Sequence, residues 1–396
     1  MPSTYYKKNI PYYKINKILW RWKRCDAENG CYIIPNLAIS MNKAPPPPQD
    51  QPPRSPPPPK PPRQKKEVGE GLLAILEAQA RFRKWLDTPS PPKPPKAAPT
   101  EKTEVVPPFD LQEIPGAMRK EFMPVSAKLM ERWFAGALNY SPTTDDEKAG
   151  INQNSEPYPA SMIDTTTIKL DWILKFPRAK AQYDFLVNSA IRAPKAVDMI
   201  GQKLKPLRAP YGRVDGLATS AKVLPTLHKH FQFQFAGVES SISQKFDQFI
   251  VSERDNGGVP DDLTGSLGSF NFYAAIGNAT FDLDARHATV TSIVVYVKDN
   301  YTFTDDTGKP SQYLGHWSRD GVIIVPATAA AGIADIAWID YPVAVGNVRV
   351  PGNVHYPVRN RSFRQWQLMH QRGGDLIVYS DYRVIGLNPP IELGFL

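Results

Sequence analysis

The chain has 396 residues, 41 of them proline, with a formal net charge of +9, 41% hydrophobic residues and two cysteines. That composition excludes a collagen, a disulfide scaffold and a polytopic membrane protein. Residues 1–66 carry 13 Lys/Arg against 3 Asp/Glu, a net of +10, so the rest of the chain sums to −1. A near-neutral body lacks the basic footprint of a nucleic-acid-binding domain, and no specific nucleic-acid binding is expected.

Of the prolines, 23 precede residue 110, with Pro45–Pro48 and Pro56–Pro59 as unbroken tetraprolines. Such tracts lack backbone donors and take up stiff, solvated polyproline II, so residues 1–66 read as a disordered, basic, Pro-rich region and 88–108 as a Pro-rich linker. Between them Leu72, Ile75, Leu76, Phe82 and Leu86 form one apolar stripe, which predicts an isolated amphipathic helix over 67–87. A helix flanked by proline linkers cannot bury its face on itself, so it is expected to dock on the body or on a partner. Met1–Arg24 is basic and aromatic, and its longest apolar stretch, Ile18–Trp20, is too short for the core of a signal peptide. Synthesis in the cytoplasm is expected, with any export by a route that reads no cleaved leader. Cys25 and Cys31 have no second pair and no neighbouring histidine, so they read as free thiols rather than a zinc site.

Residues 109–226 read as a helical block. Ser126 is placed to cap a helix with Leu129, Met130, Trp133, Phe134, Ala137 and Leu138 on one face, ending near Asn139. A polar loop is expected over Thr143–Pro159. Trp172, Phe176, Ala179, Tyr183, Leu186, Val187 and Ala190 recur at helical spacing, with Pro177 predicting a broken start, and Pro194 opens another helix that closes before Pro206. These aromatic stripes read as core.

From about Leu227 the period becomes two. Phe231, Phe233 and Phe235, then Phe270, Phe272 and Ala274, then Ile293, Val295 and Val297 each line one face of a strand. Gly321–Ile339 carries one charge, Asp335, but Pro326 and its small residues argue for two buried strands around a loop, so a membrane is at most touched and not spanned. Asn360 or Ser362 caps a last helix with Phe363, Trp366, Leu368 and Met369 inward; Gly373-Gly374 stops it and Leu376–Tyr379 enters a strand. The fold class expected is α+β: a disordered Pro-rich N-terminal region, a helical block, and a C-terminal antiparallel β-sheet domain over 227–396.

No Gly-rich phosphate loop, G-x-S-x-G elbow or H-E-x-x-H is present, and no motif names a cofactor or a metal. Three weaker constellations remain. His228 and His230, on a strand, would face one side as metal ligands can; a surface or half-buried pair is the plainer reading, since no acidic or cysteine partner is near. Val297-Lys298-Asp299-Asn300-Tyr301-Thr302-Phe303 leaves a strand and is followed by Asp305, Asp306, His316 and Arg319. Asp299 would serve as base or metal ligand, His316 as proton carrier and Arg319 as a clamp for an anion, with Tyr301 and Asp305 completing the candidate catalytic set. A polar turn with a tyrosine packed beneath it accounts for the same residues. Lastly Asp375, Tyr379, Asp381, Tyr382 and Arg383, near Arg361, Arg364 and His370, fit Arg–Asp pairs pinning the final helix to a sheet.

The stretch Ile163–Leu204, the run Asp262–Trp317 and above all Asn360-Arg361-Ser362-Phe363-Arg364-Gln365-Trp366, through Gly373-Gly374-Asp375 and Ser380-Asp381, resemble an uncharacterised proteobacterial family often found with type VI secretion spike genes. The resemblance spans residues 110–396 and implies a setting, delivery as an antibacterial effector, while carrying no active site with it. The segment around Asp299 and Tyr301 is also similar to the D-x-Y-D motif of colicin M-like toxins, which cleave the lipid-linked peptidoglycan precursor. Thr302 stands where that pattern has Asp, and His316 lies further downstream. The function expected is a secreted effector toxin acting on the target cell envelope, with phosphate-ester hydrolysis as the chemistry to test. The alternative is a non-enzymatic adaptor or structural component of the secretion machinery. Implied partners are a spike protein or chaperone, bound through 67–87, and an immunity protein.

Overall fold

The computed structural model describes residues 12–16, 21–25, 39–48, 109–240, 260–305, 308–324 and 340–395. The helix expected over 67–87, the linker 88–108 and the stretch 325–339 lie outside the described residues. Two antiparallel strands come first, β1 (Tyr12–Asn16) and β2 (Arg21–Cys25). The helical block follows as α1 (Ile114–Lys120), α2 (Pro124–Ala135), α3 (Thr144–Ala149), the short strand β3 (Ile163–Asp164), α4 (Leu170–Ile173), α5 (Pro177–Asn188) and α6 (Pro194–Leu204). Next are β4 (Arg213–Asp215), α7 (Gly216–Thr219), α8 (Leu224–Phe231), β5 (Gln232–Val238) and α9 (Asp262–Leu267). A long hairpin, β6 (Phe270–Phe281) and β7 (His287–Tyr301), leads to β8 (Tyr313–Ser318), β9 (Gly321–Ile323), β10 (Val343–Ala344) and β11 (Val354–Arg359). The chain closes with α10 (Asn360–His370), β12 (Leu376–Tyr379) and β13 (Arg383–Gly394). The class is α+β, as the periodicities indicate.

Proline opens much of the helical block. Pro124, Pro177 and Pro194 begin α2, α5 and α6, where a missing N–H costs nothing, and Pro177 separates α5 from α4 as its position predicts. Ser126, by contrast, is not the cap of α2. The helix begins two residues earlier, and the carboxylate of Asp262 on α9 accepts from Val125 N (3.1 Å), Ser126 N (2.9 Å) and Ser126 Oγ (2.8 Å). A carboxylate from a distant helix thus satisfies the first-turn donors that a local cap would otherwise take. The helix also stops at Ala135 rather than near Asn139. There Gly136 lies so close to Gly374 that an added Cβ would sit 3.1 Å from its backbone nitrogen. Within the expected polar loop, Thr143 accepts from Asp146 N (3.1 Å) and the left-handed Gly150 closes α3, so the local caps were sufficient for one short helix.

Two sheets form the frame. One has the order β2-β1-β10-β11-β8-β9, with β1 parallel to β10 through Tyr13↔Val343 and Lys14↔Ala344. The disorder expected over 1–66 does not hold for β1, β2 and residues 39–48, whose order depends on partners that reach as far as Val343, more than 300 residues away. The other sheet is built on β7. One edge of β7 pairs first with β13 (Val295↔Arg383) and then with β12 (Asp299↔Val378), while its other edge pairs with β6, which in turn carries β5 and β4. Phe270, Phe272 and Ala274 with Val295 and Val297 are buried as expected, and α5 packs on this face through Tyr183 against Phe272 (5.6 Å between rings). Phe235 does not share the face of Phe233. A bulge between Gln232 and Gln234 shifts the alternation, so Phe233 is buried while Phe235 is 56% exposed on the opposite face.

Trp133 and Phe134 of α2 meet Phe303, Phe363 and Trp366 in an aromatic core, with Phe303 and Phe363 stacked at 3.7 Å. Each such ring removes about 150–250 Å² from water, which makes this the main tie between α2 and α10. Leu368 and Met369 face outward instead of inward, because the helical period places Phe363, Trp366 and Gln367 on the buried side. Arg359 precedes α10 as its cap residue, its N–H donating to Ser362 Oγ (3.3 Å).

Residues 39–48 lie along the body as an extended strap. Asp110 accepts from Ser40 Oγ (2.8 Å) and Lys43 N (3.2 Å), Gln112 Nε2 donates to the Lys43 carbonyl (2.5 Å), and His370 Nε2 donates to the Met41 carbonyl (2.7 Å).

Candidate functional site

The period-two pattern of β7 sorts its C-terminal half into two faces. Val295, Val297, Asp299 and Tyr301 fall on the side of Phe272; Tyr296, Lys298 and Asn300 fall on the other. Register then recruits neighbours to the second face: Tyr273 lies opposite Tyr296, Asn271 and Tyr379 opposite Lys298, and Phe235 opposite Tyr273. The result is a row of rings across four strands, Phe235, Tyr273, Tyr296 and Tyr379, with successive centroids 6.1, 6.1 and 6.2 Å apart.

Over this row lies α8. His228 sits in a helix and not on a strand, since Leu224, Leu227 and Phe231 recur at helical spacing after Val223. Two residues along a helix point to different sides, so His228 is half-buried against the sheet while His230 is exposed, and the pair cannot share a metal. The His228 Nδ1 is 2.9 Å from Tyr296 Oη, and its ring stands edge-on to Tyr273 at 4.7 Å. Burial, aided by Lys298 and Lys203, pushes its pKa down to about 4, so the ring is neutral at pH 7. Burial also lowers the Lys298 pKa, against the partial restoring effect of Asp299 and Glu147. It holds Asp299 well above the usual carboxylate range, opposed by the Asn300 N–H and by Lys298. The three tyrosines are raised by burial as well.

One buried polar atom of this face is unmet, and the half-buried lysine beside it has no protein partner. Lys298 has no hydrogen-bond or ion-pair partner among the described residues. Asn300 Nδ2 donates to the Glu147 carbonyl of α3 (3.1 Å), but Asn300 Oδ1 is buried and accepts nothing. Buried acceptors in folded proteins are nearly always satisfied.

Of the candidate catalytic set, Asp299 and Tyr301 share β7, and Asp299 borders the cluster. Tyr301 is buried edge-on to Phe303 (5.7 Å). His316 belongs to the other sheet, on β8, where it is fully buried: its Nε2 donates to the Tyr341 carbonyl (2.8 Å) and its Nδ1 accepts from Tyr313 Oη (2.5 Å). Burial, with His355 and Arg359 nearby, pushes its pKa down to about 3. Arg319 faces Glu113 at 3.9 Å, and Asp305 accepts from Gln312 N (3.0 Å) in the turn. The structure therefore does not gather Asp299, His316 and Arg319 at one point; the charges acting on Asp299 and on His316 are separate sets. The third constellation divides. Arg364 pairs bidentately with the fully buried Asp375 (3.0 and 2.7 Å), whose other bond is from Trp133 Nε1 (2.9 Å), and Arg383 pairs with Asp171 (2.5 Å). The first is the expected pin of the final helix; the second ties β13 to α4 instead. Tyr379 instead joins the ring row. One residue from each of the three weak signals, His228, Lys298 and Tyr379, thus meets on one sheet face.

The arrangement defines an α+β protein in which Lys298, His228 and three tyrosines converge on the face of a seven-stranded sheet that α8 partly covers. The chain belongs to the family of unknown function DUF6402, whose model matches residues 109–395. No curated protein and no solved structure matches it. Among the described residues no group of three or more His, Cys, Asp or Glu is placed to hold a metal ion, and no helix is long and apolar enough to cross a membrane.

Proposed function

We propose that the chain is an antibacterial effector toxin acting on the target cell envelope, with the Lys298 cluster as its reactive site. The observation that carries the site is the convergence of a lysine held below its ordinary range, a neutral histidine and three tyrosines, with Asp299 held above its ordinary range beside them. Strongly perturbed ionisable groups concentrate where chemistry is done. A lysine whose pKa is lowered gives up its proton more readily than a free one, and a carboxyl whose pKa is raised holds its proton more firmly, which suits both to acid–base work. Lys298 and His228 take the acid–base roles expected of Asp299 and His316, while Asp299, on the opposite face of β7, acts on Lys298 through its charge. Delivery by a type VI-like system rests on the family resemblance of Ile163–Leu204, Asp262–Trp317 and Asn360–Asp375, with residues 67–87 as the contact for a spike protein or chaperone.

The test is growth of a bacterial host that exports the protein to its periplasm, with and without the neighbouring immunity gene. Wild type is expected to arrest growth. Lys298→Met is expected to relieve the arrest, with an activity loss of about a hundredfold or more and a nearly unchanged melting temperature. Full toxicity of Lys298→Met rejects the site. A harmless wild type that co-purifies with a secretion component establishes the adaptor instead.

A further inference from the structure

The polar groups of this face point to a ligand. Asn300 Oδ1 is a buried acceptor without a partner, and the half-buried Lys298 beside it has no hydrogen-bond partner among the described residues. The two residues lie on one strand and one face, two positions apart, with their Cα atoms about 7 Å from each other. A trans amide presents its N–H and its C=O in opposite directions, so one such group can meet an acceptor and a donor together. Beside this pair the ring row rises to the surface: Tyr296 and Tyr379 are buried and form its floor, Tyr273 is half-buried, and Phe235 is exposed. Ring faces leading from solvent to a few convergent polar groups are what a small-molecule or sugar subsite requires. A peptide joining this sheet would bind the backbone of an edge strand, whereas these polar groups lie on the sheet's face.

From this we infer that the face formed by Phe235, Tyr273, Lys298 and Asn300 binds an N-acetylated amino-sugar glycan. The acetamido N–H donates to Asn300 Oδ1, its carbonyl accepts from Lys298 Nζ, and the C–H faces of neighbouring sugar rings lie on Tyr273 and Phe235. Flat aromatic faces carry a negative quadrupole that suits such C–H edges. This names a substrate class for the site and rests on the Lys298 cluster being the reactive one.

The experiment is calorimetric titration of the full chain with chitotetraose, its fully de-N-acetylated counterpart, cellotetraose and an N-acetylated tripeptide. Chitotetraose is expected to bind at least about tenfold more tightly than either other sugar, the cost of about one hydrogen-bonded group. Asn300→Leu and Phe235→Ala are each expected to weaken it about tenfold. Phe235 is exposed, so its variant keeps the fold and the test stands even where Asn300→Leu unfolds. Equal affinity for the three sugars, no heat with chitotetraose at about 1 mM, or binding of the tripeptide alone overturns the inference. Because binding is read without reference to growth arrest, a harmless protein that binds chitotetraose refutes only the effector reading. A toxic one that does not bind refutes only the glycan.

Discussion

His228 and His316 are both neutral in the folded protein, with pKa values pushed to about 4 and about 3, while an unfolded histidine titrates near 6.5. Below pH 6.5 the unfolded chain therefore takes up protons that the folded one refuses. The stability each histidine contributes is complete above pH 6.5 and is lost as pH falls toward the folded value, at up to about 1.4 kcal/mol per pH unit for each. Asp299 works in the opposite sense, since its folded pKa is raised and the folded protein gains relative stability as the carboxyl protonates. The difference between wild type and a single variant separates these contributions. His316→Gln is expected to flatten the fall in unfolding free energy between pH 6.5 and about 4 by about one proton's slope, measured by urea titration at several pH values. An unchanged slope would show that burial does not hold the ring neutral.

Single carboxylates hold whole elements in place. Asp110 takes the strap through Ser40 and Lys43 and also caps the turn at Gln112 N (3.1 Å). Asp110→Ala is expected to cost about 1–3 kcal/mol and to expose the Lys43 peptide to trypsin, which a digestion time course would read. Asp262→Ala, which strands the first-turn donors of α2, is expected to lower stability by about 1–2 kcal/mol, whereas a change below about 0.3 kcal/mol would mean that water caps the helix as well. Sequence alone revealed α10 and β12, because the Phe363–Trp366 spacing and Gly373-Gly374 are local signals, although the cap is Arg359 and not the expected Asn360 or Ser362. It misplaced α8 because the alternation of Phe231, Phe233 and Phe235 extends one residue back into the helix and masks the spacing of Leu224, Leu227 and Phe231. His228, Lys298 and Tyr379 were each visible as separate hints. What joins them is the register of β12, β7 and β6 with α8 laid over it, and pairing between strands far apart in sequence leaves no local trace.

At the scale of the whole molecule, the family match begins at residue 109 while the fold draws on residues before it. A chain starting at residue 106 would lose β1, β2 and the strap together. It would leave the buried Val343–Ala344 strand as a bare sheet edge. Such a fragment is expected to fold, to melt several degrees below the full chain and to self-associate at high concentration, as an uncovered edge promotes. Calorimetry and size-exclusion chromatography check both, and an equally stable, monomeric fragment would show that these pieces only decorate the body.

The path of β13 makes the chain mechanically directional. Its pairs with β7 form two runs of four rungs, Gly394 to Ile391 and Gly386 to Arg383, separated by a gap at Pro389 and Pro390, which have no N–H to lend. Force applied at the C-terminal end would meet Phe395, held by its bond to the Arg286 carbonyl (2.7 Å), and then open the strand rung by rung, each rung resisting with only about 0.5–1.5 kcal/mol and the proline gap held by Arg192 alone. Half of β7 would be stripped before any load reached the stretch that carries Lys298. For any motor that pulls on this strand, β13 comes away from β7 one rung at a time rather than all at once.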